Sequence, residues 1–225
     1  MSQICDTGAT RGDVKMQKRE SASESGAMET AIHIENLTKD YANGQQAVAD
    51  FSLKVPSGET FGFLGPNGAG KTTTIKILLG LLRASSGSVR VFDSDPALRE
   101  VRQRIGYLPE VANYYEFMNV EELLRFYGTV CGMTREAIRR RTDDMLQLVD
   151  LEDVRKRPLK QFSKGMLQRA GIAQALLHDP DMLVLDEPTT GLDPLARLRM
   201  RDIIADMRKA GKTVFFSSHE LSEVE

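Results

Sequence analysis

The segment Gly65-Pro66-Asn67-Gly68-Ala69-Gly70-Lys71-Thr72 constrains the fold more than any other part of the chain. It fits Gly-x-x-x-x-Gly-Lys-[Ser/Thr] at every fixed position, a pattern whose chemistry works only between a buried strand and a helix start. Both flanks are present. The apolar run Thr60–Leu64 (TFGFL) precedes it, and Thr73 onward (TTIKILLGLL) turns to helical spacing. Glycines let successive backbone N–H groups curl around a polyphosphate, and the following helix turns its positive end toward the anion. Lys71 supplies a point charge for the β and γ oxygens, and the Thr72 hydroxyl suits a Mg²⁺ ligand. An ordinary glycine-rich turn with a surface lysine would not need those flanks. Gly65, Pro66, Asn67, Gly68, Ala69, Gly70, Lys71, Thr72 and Thr73 are therefore candidate nucleotide-binding residues.

A second segment, Met182-Leu183-Val184-Leu185-Asp186-Glu187, ends a continuous apolar run in two acids. Such runs read as strands buried on both faces of a parallel sheet, and their C-terminal ends face the ligand crevice. Asp186 fits the role of holding Mg²⁺ through water. Glu187 fits that of a general base polarising water for attack on the γ-phosphate. A solvated acidic turn is the bland alternative, and the upstream glycine loop disfavours it.

Elsewhere strand-like and helix-like stretches alternate, which predicts an α/β architecture. AIHIENLTKDY alternates like an edge strand and AVADFSLKVPSGE reads as a second strand. A charged helical stretch runs from Val120 to Lys160, punctuated by Gly128, Gly132 and Pro158, and a helix follows from Ser163 to about Leu177. With 41% hydrophobic residues among 225 the chain can build a sizeable core. Lys plus Arg number 30 against 32 Asp plus Glu, a formal charge of −2. That balance argues against a nucleic-acid partner. No apolar run approaches the roughly 18 residues that cross a bilayer. Two cysteines, Cys5 and Cys131, are too few for a disulfide framework or a zinc site. Residues 1–28 mix Ser, Gly, Thr and charges without periodicity and read as a disordered extension.

Together with Phe162-Ser163-Lys164-Gly165-Met166 and Gln168-Arg169, these motifs resemble the nucleotide-binding subunit of ATP-binding cassette (ABC) transporters, from about Ile32 to the end of the chain. Ser163 is also a helix N-cap candidate. Lys164 and Met166 depart from the family's commoner Gly and Gln, in the manner of an exporter-type subgroup. The resemblance implies a P-loop NTPase mixed-sheet core, an N-terminal antiparallel β subdomain, and a helical insert at about 115–165 within a domain spanning 29–225. It implies that Ser163 and Gly165 reach the γ-phosphate of ATP held on a second subunit, so that two copies, or a pseudo-dimer, sandwich two nucleotides. It further implies that Tyr41 stacks on adenine and that Gly191-Leu192-Asp193-Pro194 links the subunits. His219 would contact the γ-phosphate, and the charged insert would dock an integral membrane permease at the inner face of the cell membrane. ATP and Mg²⁺ are the implied cofactors.

Glu110 stands where the family often carries glutamine; a carboxylate there can ligate Mg²⁺ but would repel a bare phosphate. His33 and His178 read as surface and helix-end residues. The chain stops at Glu225 inside a helix-like stretch, which reads as a truncated C-terminus lacking about one peripheral strand pair and a helix. Two rivals remain open at this level: a non-transport ATPase acting on DNA or ribosomes, and a nucleotide-binding regulator that no longer hydrolyses.

Overall fold

A computed structural model describes residues 29–219; the predicted extension at 1–28 and the helix-like end at 220–225 lie outside the described residues. Among the described residues the strands form two sheets. β1 (Thr30–Asp40), β2 (Gln46–Pro56) and β4 (Ser86–Val91) make an antiparallel sheet in the order β2-β1-β4. β3 (Thr60–Leu64), β5 (Ile105–Leu108), β6 (Met182–Leu185) and β7 (Thr213–Ser218) make a parallel sheet in the order β3-β7-β6-β5.

β6 and β7 are buried on both faces, and alternate residues of the parallel sheet feed two cores. Leu108, Leu183, Leu185, Val214 and Phe216 pack against α3 (Val120–Val130), α4 (Arg135–Leu148), α5 (Lys164–Leu176) and α6 (Pro194–Lys209). Ile105, Met182, Val184 and Phe215 pack the other way, against α1 (Lys71–Leu78) and the antiparallel sheet. This is why MLVL reads as an unbroken apolar run. Both faces are interior.

The structure corrects several expectations. β1 is the central strand of its sheet, not an edge, paired to β2 on one side and β4 on the other. Its alternation records one buried face, and sheet position is set by backbone pairing, which alternation does not report. Gly128 lies inside α3 rather than interrupting the helix. A Cβ there would sit 2.7 Å from Ile138 Cγ1 of α4, so glycine permits the close approach of the two helices. The helical insert comprises α3, α4 and two short 3-10 turns, Glu152–Val154 and Leu159–Gln161, with Gly132 between the two helices and Pro158 between the two turns as expected. The helix before β5 is a single turn, α2 (Arg99–Arg102).

Helix starts follow their side chains. Asn119 and Glu122 form a reciprocal capping box at α3, each bond 3.0 Å. Ser163 accepts from Met166 N at 3.2 Å, and Asp193 accepts from Ala196 N at 2.9 Å with Pro194 in the first helical position.

Candidate active site

The glycine loop joins β3 to α1 and is fastened at its start by Gly65 N donating to Ser218 O of β7. Gly70 precedes α1 with φ +84°, and a Cβ there would collide with Ala47 O and press on Val48. Left-handed backbone and close approach both demand glycine. Lys71 Nζ lies inside the loop's curve, donating to Gly65 O at 2.6 Å and Pro66 O at 3.3 Å.

The acids follow β6. Asp186 is buried; its Oδ1 accepts from Ser217 Oγ at 2.7 Å, and Ser217 Oγ in turn accepts from Glu187 N at 3.0 Å. One β7 serine thus fixes both. Glu187 takes φ +50°, a conformation that costs a non-glycine residue on the order of 1 kcal/mol or more. The buried amide of Gln168 in α5 holds the same turn by donating to Pro188 O at 3.1 Å. The turn carries Glu187 away from Asp186 toward the loop: Oε1 lies 3.3 Å from Lys71 Nζ. Oε2 accepts from Thr190 Oγ1 at 2.9 Å and from His219 Nδ1 at 2.7 Å. Burial raises the Glu187 pKa, but the hydrogen bonds from His219, Thr190 and Lys71 outweigh it and hold the carboxyl below its ordinary value. Nearby, burial and the charges of Asp186 and Glu110 push the Tyr107 phenol up to about 12.

These groups surround one cleft of about 360 Å³, lined by Tyr41, the loop from Pro66 to Thr73 except Ala69, Glu110, Glu187 and His219. Tyr41 is anchored at its mouth, its hydroxyl 3.2 Å from Thr73 Oγ1 and its ring under Lys39 Nζ. Gly65, Ala69 and Asp186 are not among its lining residues. Gln45, Ala47 and Thr190 also line it. Sequence reasoning missed these three and Ser217. Thr190 sits three positions after Glu187, so a turn after the acids was the available signal.

Ser163 and Gly165 are not brought into this cleft. They lie at the start of α5 against a neighbouring loop: a Cβ on Gly165 would stand 3.4 Å from Ala196 Cβ and 3.8 Å from Leu192 Cδ2. The Lys164 side chain lies across Gly191. The two segments form one edge outside the lining of the cleft. His178 lies just past the C-cap of α5, the helix-end position expected of it. It is partly buried with Nε2 3.2 Å from Ile105 O, and burial lowers its pKa. It lines a second groove of about 690 Å³ with Arg99, Arg102, Tyr107, Tyr114 and Val130.

The oxygen donors fit Mg²⁺ by chemistry. Thr72, Asp186 and Glu110 carry hard oxygen donors, yet no group of three or more His, Cys, Asp or Glu among the described residues forms a metal cage. Few protein ligands completed by phosphate oxygens and water is the pattern Mg²⁺ favours.

Residues 48–190 match the ABC transporter family, well over half of the chain. The chain belongs to the ABC transporter family. Among its ABC relatives, an uncharacterized ABC transporter ATP-binding protein of Synechocystis is 47% identical over 182 residues, covering 80% of this chain and 51% of that protein. The bacitracin transport ATP-binding protein BcrA of Bacillus licheniformis is 41% identical over 201 residues, covering 88% and 64%. The solved structure of cbiO1 from Clostridium perfringens, part of an ABC transporter complex, superposes with a TM-score of 0.77 at 26% identity, over 87% of this chain and 81% of that one. The chain thus spans only 51% and 64% of the length of the two sequence relatives. Among the described residues of this ABC chain, no helix is long and apolar enough to cross a membrane.

Proposed function

We propose that this chain is the ATP-binding and ATP-hydrolysing subunit of an ABC transporter, energising export through a separate permease. The observation that carries the reading is the convergence of Lys71, Glu187 and His219 on one cleft with the glycine loop. Lys71 would exchange its carbonyl partners for β/γ oxygens, and the loop amides would cradle the phosphates. Tyr41 would take the adenine face. Thr72 and Asp186 would hold Mg²⁺, with Glu110 beside them. When bound, that ion would neutralise phosphate charge and polarise the transferred group. Glu187 Oε2 would orient water and accept its proton, and His219 would steady the carboxylate and the γ-phosphate. Such base catalysis is worth on the order of 10²–10⁴-fold.

Ser163 and Gly165 lie outside the cleft, which supports their acting on the nucleotide of a second copy; two chains would then close head to tail over two ATP molecules. The groove beside His178 supports docking of the permease. Its lining mixes apolar and aromatic side chains with two arginines, and Tyr115, Phe117, Phe126 and Val130 are exposed on the same insert. Docked in this way, the chain would sit at the inner face of the membrane. Export is the direction implied by Ser163-Lys164-Gly165-Met166. The permease selects the substrate.

The test is Glu187→Gln. The variant should bind ATP, dimerise with it and release phosphate at least about 100-fold more slowly than wild type. Turnover at the wild-type rate would reject Glu187 as base, and wild-type protein that releases no phosphate would favour a non-hydrolysing regulator.

A further inference from the structure

Two arginines from different helices converge on one turn. Asp150 follows the C-terminal end of α4 in left-handed conformation, φ +53°. Arg169, in the second turn of α5, donates Nη1 to Val149 O at 2.7 Å and Asp150 O at 3.1 Å. Arg199, in the second turn of α6, donates Nη2 to Leu148 O at 2.8 Å, and its Nε lies 2.8 Å from Asp150 Oδ2. Two like charges share this site because the unpaired carbonyls ending α4 carry partial negative charge and Asp150 adds a full one. The mutual influence is visible at Arg169: burial and Arg199 pull its pKa down, while Asp150 and Asp193 push it up.

These are the helices whose starts form the edge outside the cleft. α5 opens at Ser163 and α6 at Asp193, and the starts touch through Gly165 against Ala196 and Lys164 across Gly191. One turn of the helical insert therefore fixes both. A planar guanidinium holding two acceptors at once resists rotation better than a single bond.

We infer that Asp150 is a positioning residue. By pairing its carboxylate with Arg199 while the carbonyls of the same turn hold Arg169, it sets the spacing between Ser163–Gly165 and Gly191–Asp193, and so how well this edge covers a second copy's nucleotide. The inference rests on the two-copy reading above. It adds that this turn ties the insert to both helices of the covering edge.

The experiment uses the full chain in a Glu187→Gln background, with MgATP-driven dimerisation followed by analytical ultracentrifugation. Affinity for a fluorescent ATP analogue is measured at concentrations where the chain is monomeric. Adding Asp150→Ala should weaken dimerisation at least tenfold and leave analogue affinity within twofold. Arg199→Lys keeps charge but loses the fork and should fall between. It also answers the question if Asp150→Ala does not fold. Dimerisation unchanged in both variants overturns the inference. Equal losses of analogue affinity and dimerisation would also overturn it, by showing a general structural role. A Glu187→Gln parent that binds the analogue yet never dimerises would overturn the two-copy reading, and this inference with it.

Discussion

Lys71 Nζ and Glu187 Oε1 face each other at 3.3 Å across the cleft, both side chains only 7% exposed. The pair ties the glycine loop after β3 to the turn after β6, although β7 lies between those strands in the sheet. A buried ion pair is weak evidence for stability, since desolvation offsets much of the attraction. Its value here is positional. The lysine is held where phosphate oxygens would take over its partners, and the carboxylate is aimed where water would be activated.

Lys71→Ala should lose nucleotide affinity itself rather than turnover alone. Charge-assisted bonds of this type contribute roughly 1.5–3 kcal/mol, which corresponds to about a 10- to 150-fold weaker Kd. Equilibrium titration with a fluorescent ATP analogue measures it, and an unchanged Kd would remove Lys71 from the phosphate site.

Glu187 should make stability depend on acidity with a defined sign. Its folded pKa lies below the ordinary 4.5, so its contribution is present above that value and is lost as pH falls through the lower folded one. The melting temperature of wild type minus that of Glu187→Gln should be level near neutrality and shrink below about pH 4.5. A difference that grew on acidification would contradict the assigned hydrogen bonds.

Thr190→Val removes one donor to Glu187 Oε2 and keeps the side-chain volume. We expect kcat for ATP to fall about tenfold, the loss of one hydrogen bond to a charged group, with KM nearly unchanged. A rise in KM at constant kcat would show that Thr190 serves binding instead.

Gly128→Val should destabilise the insert without touching the cleft. The added carbons meet Ile138 and Leu177, and overpacking of this kind costs typically 1–3 kcal/mol. Urea unfolding of the variant should show a lower midpoint while the nucleotide Kd stays at the wild-type value. An unchanged midpoint would mean the two helices can separate freely.

What could be read in advance was whatever depends on near neighbours in the chain. The loop from Gly65 to Thr72 carries its own geometry, because Gly70 must be left-handed and Lys71 must follow it. The α5 start was legible because the Ser163 cap acts within one turn. β1 was misplaced because alternation reports a buried face and says nothing of which strands pair on either side. Gly128 was misread because a glycine in a helix looks the same whether it ends the helix or admits a neighbour.

Sequence alone therefore determined the chemistry of the phosphate loop, the order of strands and helices along the chain, and the two acids at a strand end. Spacing over a few residues is enough to specify each of these. Tertiary structure decided which of them meet. It placed Ser217 between Asp186 and Glu187, brought His219 and Thr190 onto one carboxylate, and kept Ser163 and Gly165 out of the cleft. The physical reason is that strand order sets these encounters. The β3-β7-β6-β5 sheet brings the ends of distant segments to one edge, and no local pattern encodes that order.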